Sequence, residues 1–283
     1  MTTLFVDHLT VIDFSYIHPS RGFIGESWIV DVELSGQLDE EGVIFDFAYA
    51  KKALKDMFDT TLDHTLAVPT QSGQIALTES GLYTKLQFTD VEGAVYSYSC
   101  PASALCKVDT DCITQRSVQH HLEEAALKML PNNVEKVVIR LREEPIDGAY
   151  YHYSHGLKKH YGNCQRIVHG HRSRLHILKD NERSAELEHI WAKKWEDIYI
   201  GTVEDLNDVL LEDGIEYYLF EYTANQGNYS LKIPKKKCDL ISTDSTVEWI
   251  AHHIATEIKK EHPTSLIQVK AFEGVDKGAM VSL

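Results

Sequence analysis

The sequence predicts an α+β protein built from two similar modules. Three observations carry that reading: alternating strands, amphipathic helices between them, and the same order of elements written twice. Val137-Val-Ile-Arg-Leu-Arg-Glu143, with Gly148-Ala149 five residues on, returns as Ile267-Gln-Val-Lys-Ala-Phe-Glu273 followed by Gly278-Ala279. The two glutamates are 130 residues apart. The expected modules are residues 1–148 and 149–283, each an antiparallel sheet with helices on one face.

In module one, Glu26-Ser-Trp-Ile-Val-Asp-Val-Glu-Leu-Ser-Gly36 alternates as a half-buried strand. Gly42-Val-Ile-Phe-Asp46-Phe47 then leads into a helix from Ala48 to about Asp59, with Phe47, Ala50, Leu54, Met57 and Phe58 as its apolar stripe. Leu86 to Tyr98, around Gly93, reads as a β-hairpin, and so does Phe220 to Leu231 around Gly227. Thr114-Gln-Arg-Ser-Val-Gln-His120-His121 is answered by Thr246-Val-Glu248-Trp-Ile-Ala-His252-His253, each a helix opened by a threonine N-cap. The paired histidines fall on helix faces and read as surface or packing residues.

Composition narrows the function classes. With 28 Lys+Arg against 43 Asp+Glu the formal charge is −15, which disfavours nucleic acid as a partner. No apolar run reaches the roughly 18 residues that span a bilayer, and the N-terminus lacks a basic-then-apolar leader. Cys100, Cys106, Cys112, Cys164 and Cys238 are odd in number and lack a framework spacing, so reduced thiols in a cytoplasmic protein are expected.

The chemistry concentrates in residues 151–177. In a strand, His169 and His171 share one face while Arg172 and Arg174 alternate away from it. His155, on the preceding strand, can supply a third imidazole, and three histidines with an open position are a pattern of catalytic zinc. Chance clustering among fifteen histidines is the competing reading. Cys164, just before this strand, is either a buried small residue or an activated thiolate. Asp63-His64 can form an acid–base pair or serve a turn. Lys158, Lys159, Arg166, Arg172 and Arg174 form a local basic cluster in an acidic chain, able to attract an anion.

Taken together, these motifs resemble the 6-pyruvoyl- and 6-carboxy-tetrahydropterin synthase family over nearly the whole chain. Module one carries Gly42-Val-Ile-Phe-Asp46-Phe47, Leu62-Asp63-His64, Thr114 and Glu143, but has Ile24-Gly25-Glu26 where the family has His-Gly-His. Module two carries His155, Cys164, His169-Gly-His171, Thr246-Val-Glu248 and Glu273, without the Asp-Phe or Leu-Asp-His motifs.

The resemblance implies two tandem tunnelling-fold modules that assemble into a barrel, as a homo-oligomer with sites at module interfaces. It implies Zn2+ on His155, His169 and His171, catalysis by Cys164, Asp63 and His64, and substrate contacts from Glu273 or Glu143 with Thr246 and Glu248. The implied reaction is the 6-carboxy-tetrahydropterin synthase type: a zinc lyase acting on 7,8-dihydroneopterin triphosphate, in queuosine or deazapurine biosynthesis. A pyruvoyl synthase, an aldolase-type pterin enzyme and a catalytically eroded pterin-binding protein are the alternatives. Because the losses in the two modules are complementary, the expected site joins Asp63-His64 of one module to Cys164 and the histidines of the other, within or between chains.

Overall fold

The computed structural model describes all 283 residues. The first half runs β1 (Thr2–His18), β2 (Gly22–Gly36), α1 (Phe47–Thr61), β3 (Leu66–Pro69), β4 (Ile75–Ser80), β5 (Tyr83–Thr89), β6 (Val95–Pro101), β7 (Leu105–Val108), α2 (Gln115–Met129) and β8 (Val134–Glu143). The second runs β9 (Tyr150–His155), β10 (His169–Lys179), β11 (Glu182–Arg183), α3 (Ala185–Lys194), β12 (Ile198–Thr202), β13 (Leu206–Glu212), β14 (Ile215–Ala224), β15 (Gly227–Pro234), β16 (Cys238–Ile241), α4 (Val247–Glu261), β17 (Ile267–Phe272) and β18 (Gly278–Ser282). No helix is long and apolar enough to cross a membrane.

The fold is α+β, and one topology occurs twice. The first sheet has the order β7-β3-β1-β2-β8; the second contains β16-β12-β9-β10-β17, the same order element for element. Both differ from the all-antiparallel expectation. β3 pairs in parallel with β1 and β7, as β12 does with β9 and β16. The cause is connectivity: a helix between β2 and β3, or β10 and β12, carries the chain back so that it re-enters the sheet in the direction of the first strand.

Helix placement follows the apolar stripes. Asp46 caps α1 by accepting from the amides of Ala48 and Tyr49, and Ala50, Leu54, Met57 and Phe58 are buried on the first sheet. Phe47 is 50% exposed, contrary to the stripe read from the sequence, because the whole first turn from Asp46 to Tyr49 faces solvent. Thr114 caps α2 in a reciprocal box with Ser117, and Thr246 caps α4.

The halves meet in two places. The hairpins join edge to edge, β15 on β6 with Leu231 opposite Tyr98, giving a third sheet of order β13-β14-β15-β6-β5-β4 drawn from both halves. The other contact is face to face. Ser15 lies opposite Gly25 and beside Leu66, while Ser154 lies opposite Gly170 and beside Tyr199, which makes them counterparts. Their hydroxyls meet at 2.8 Å, so a local two-fold axis passes between them. Gly25 is required there, since a Cβ on it would lie 1.8 Å from the Tyr153 carbonyl oxygen. This contact corrects the half-buried reading of β2, in which Gly22 to Val30 is buried throughout because β9 and β10 cover its outer face.

Candidate metal centre between the two halves

The face-to-face contact carries two related sites, and only one has the donors for a metal. β9 and β10 pair with His169 opposite His155, which puts both imidazoles and that of His171 on one face. The three are buried, and their ligand nitrogens lie within 4.8 Å of one another. The Ser245 carbonyl lies 2.9 Å from His155 Nδ1 and the Arg166 carbonyl 2.9 Å from His169 Nδ1, while Asp13 Oδ1 approaches His171 Nδ1 to 3.2 Å without the alignment of a hydrogen bond. Nε2 of His155 and of His171 is buried without a partner. Burial, with the neighbouring imidazoles, holds His155 and His169 well below the usual histidine range, hence neutral as metal donors must be. Three clustered imidazoles, two of them held neutral and with buried, unpaired Nε2 atoms on His155 and His171, fit a tetrahedral cation with one open position.

The first half supplies the adjacent pair. His64, at a positive φ of 54°, follows α1 and places its ring 5.0 Å from that of His169. Asp63 Oδ2 lies 2.5 Å from His64 Nδ1, and its Oδ1 accepts from the Asp13 amide at 2.8 Å. Burial opposes a charge on His64, but hydrogen bonds to Asp63 and Cys164 outweigh it and raise the imidazole to about 10. The Cys164 sulfur, His64 and His169 fall within one 4.8 Å cluster. Asp63, His64, Cys164 and the three histidines therefore converge within one chain.

The other expected residues divide. Glu273 lies on this side, its charge acting on Lys277 and Tyr153. Glu143 lies at the second site, where its carboxylate is 3.7 Å from Arg172. Thr246 caps α4 beside Ser245, and Glu248 is exposed on the first turn. The basic cluster is a correction, because most of it is occupied by acids. Lys158 pairs with Glu204 and Asp205, Lys159 with Glu204 and Asp244, and Arg174 with Glu144 and Asp276. Arg172 donates to the Glu144 carbonyl and stacks on Tyr150. Arg166 alone meets no carboxylate; it donates to Gln226 and to the Asp63 and His64 carbonyls.

At the second site, strand register puts Tyr16, Ile24 and Glu26 where the other has His155, His169 and His171. Asp197 takes the place of His64, with φ 58°, and is held by both nitrogens of an Arg21 fork. His152 takes the place of Asp13, so the Asp13–His171 contact is answered by His152–Glu26 at 3.9 Å, acid and base exchanged. Sequence reasoning missed Asp13 and Ser245, although an acid inside the apolar run Val11-Ile-Asp13-Phe14 was a signal for the first.

Fold and site thus define a protein of two like halves with one three-histidine metal-type centre between them. No protein-family model matches the chain. Two curated relatives, from Pyrococcus abyssi and Pyrococcus horikoshii, bear the name 6-carboxy-5,6,7,8-tetrahydropterin synthase as a provisional assignment. Each is 24% identical, over 139 and 134 residues, or 47% of this chain and 76% of the relative. Among solved structures, the 6-pyruvoyl tetrahydropterin synthase of Plasmodium vivax aligns at 15% identity and TM-score 0.38, covering 50% of this chain and 97% of that one. That of Plasmodium falciparum aligns at 15% and 0.36, covering 45% and 78%. In sequence, the chain is similar to proteins that bear tetrahydropterin synthase names.

Proposed function

We propose that the protein is a zinc-dependent lyase of the 6-carboxy-tetrahydropterin synthase type, made of modules 1–148 and 149–283 with one active site between them. The observation that carries the reading is the meeting of Asp63-His64 with Cys164 and the three histidines in a single chain. The substrate is 7,8-dihydroneopterin triphosphate, which with water gives 6-carboxy-tetrahydropterin, acetaldehyde and triphosphate, a step of queuosine or deazapurine biosynthesis.

His155, His169 and His171 would hold the zinc. When bound, it would supply Lewis acidity that makes C–H bonds of the substrate side chain acidic. Cys164, as thiolate, accepts a proton from carbon, its sulfur clustered with His64 and His169. His64, kept charged and oriented by Asp63, delivers a proton to the developing intermediate. Glu273 anchors the pterin by accepting two hydrogen bonds from its amidine edge, while Glu143, at the other interface, does not. Thr246 acts through the cap that fixes Ser245 and so His155, and Glu248 lies on the same turn. Arg166 is the cation available to the triphosphate.

We also propose that copies associate through β4 and β13, the unpaired outer strands of the six-stranded sheet. The test of function is anaerobic incubation of zinc-loaded protein with 7,8-dihydroneopterin triphosphate, read by mass spectrometry. The carboxy product is expected; pyruvoyl or aldol-cleaved pterin would reassign the reaction, and unchanged pterin would contradict it.

A further inference from the structure

Asp13 touches both parts of the site, the histidines through its carboxylate and the Asp63-His64 pair through its backbone. It lies in β1 of the first half and is 3% exposed. Its Oδ1 is 3.2 Å from Nδ1 of His171 in the second half and accepts from the Ser27 hydroxyl. Its Oδ2 accepts from Lys277 Nζ at 3.0 Å. Its backbone also clamps the neighbouring pair: the amide donates to Asp63 Oδ1 at 2.8 Å, and the carbonyl accepts from the His64 amide at 2.7 Å. Gly274 leaves room for this arrangement, because a Cβ there would lie 2.4 Å from Asp13 Oδ1.

Such burial costs a carboxylate much of its hydration, so its contacts must replace what water gave. Ser27 and Lys277 do part of that, and the remaining contact is the 3.2 Å approach to His171, a histidine with both ring nitrogens buried and neither yet in an aligned hydrogen bond. A carboxylate at Nδ1 fixes which nitrogen carries the proton and leaves Nε2 as the donor. The second interface supports the assignment: His152 stands on the Asp13 position, facing Glu26, and that interface has no histidine triad to orient.

We propose that Asp13 is a positioning residue for the metal, supplied by the first half to a ligand of the second. Its carboxylate accepts the His171 Nδ1 proton and directs Nε2 inward, so the zinc site is complete only when the two halves are docked. The inference rests on the zinc reading above, and the experiments separate the two.

Zinc affinity is measured by chelator competition for the wild type, Asp13→Asn and Ser15→Ala, each with the melting temperature of the metal-free protein. Asp13→Asn is expected to weaken zinc about ten- to a hundredfold, as loss of a partner to a metal-bound histidine does. Ser15→Ala removes the inter-half hydroxyl contact and is expected to leave affinity unchanged while lowering stability. Equal losses in both variants, or none in Asp13→Asn, would overturn the assignment. A wild type that binds no zinc overturns it together with the functional reading. Independently of any variant, wild-type protein with 15N-labelled histidine and loaded with 113Cd should show metal coupling at His171 Nε2 and a protonated Nδ1. Coupling at Nδ1 would overturn the proposal.

Discussion

Glu26→Gln probes the second interface through the pH dependence of stability. Glu26 stands where the other site has His171, and burial pushes its carboxyl up from 4.5 to about 8. The Ser27 amide, Arg172 and Arg21 pull it down, and Glu143 pushes it further up. Between pH 4.5 and 8 the folded chain holds a proton that the unfolded chain has released. Stability must therefore fall as pH rises through that window. At about 1.36 kcal/mol per pH unit, the loss is of order 4 kcal/mol at most by pH 8. Glutamine copies the neutral acid and removes this loss. Urea unfolding of both proteins at pH 5, 6, 7 and 8.5 cancels the groups they share. Their difference should grow with pH in favour of Glu26→Gln by about 2 kcal/mol or more. A constant difference would mean that Glu26 is ionised in the fold, and the upward push assigned to its burial would be wrong.

Other predictions follow from the same geometry. Elemental analysis should find one zinc per chain, lost in His169→Ala; two per chain would give the second interface a donor set that its Tyr16, Ile24 and Glu26 do not offer. Gly25→Ala forces a Cβ to within 1.8 Å of the Tyr153 oxygen, and backbone overlap of that size costs a few kcal/mol. Its melting temperature should drop sharply, and an unchanged value would contradict the close approach of the halves. Glu273→Gln should reduce kcat/KM about a hundredfold, whereas Glu143→Gln should change it less than about twofold, in a steady-state assay. The reverse order would move the pterin anchor to the other interface.

Local signals in the sequence were sufficient for the parts of the fold made by local rules. The hairpins around Gly93 and Gly227, the threonine caps and the shared face of His169 and His171 depend on neighbours a few residues apart, and all were legible. The repeat of Glu143 and Glu273 was legible too, because duplication leaves parallel text. What was not legible depends on contacts far apart along the chain. β15 meets β6 across more than a hundred residues, and nothing in either strand specifies the partner. Asp197 could not be matched to His64 by residue type, and only its positive φ and its place before β12 show the correspondence. The basic cluster looked available because its acid partners, Glu204 and Asp244 among them, lie far along the chain from Lys158 and Lys159.

The account turns on one claim: the catalytic parts divided between the two halves are reunited inside a single chain. His64→Ala removes one part and Cys164→Ala the other, and each variant alone should lose about a hundredfold or more in turnover. The deciding measurement is turnover of the two variants unfolded together and refolded as an equimolar mixture. If every site draws both halves from one chain, every site in the mixture is broken and activity stays at the level of the separate variants. If sites form between chains, random mixing restores about a quarter of wild-type turnover, and that recovery would contradict the account.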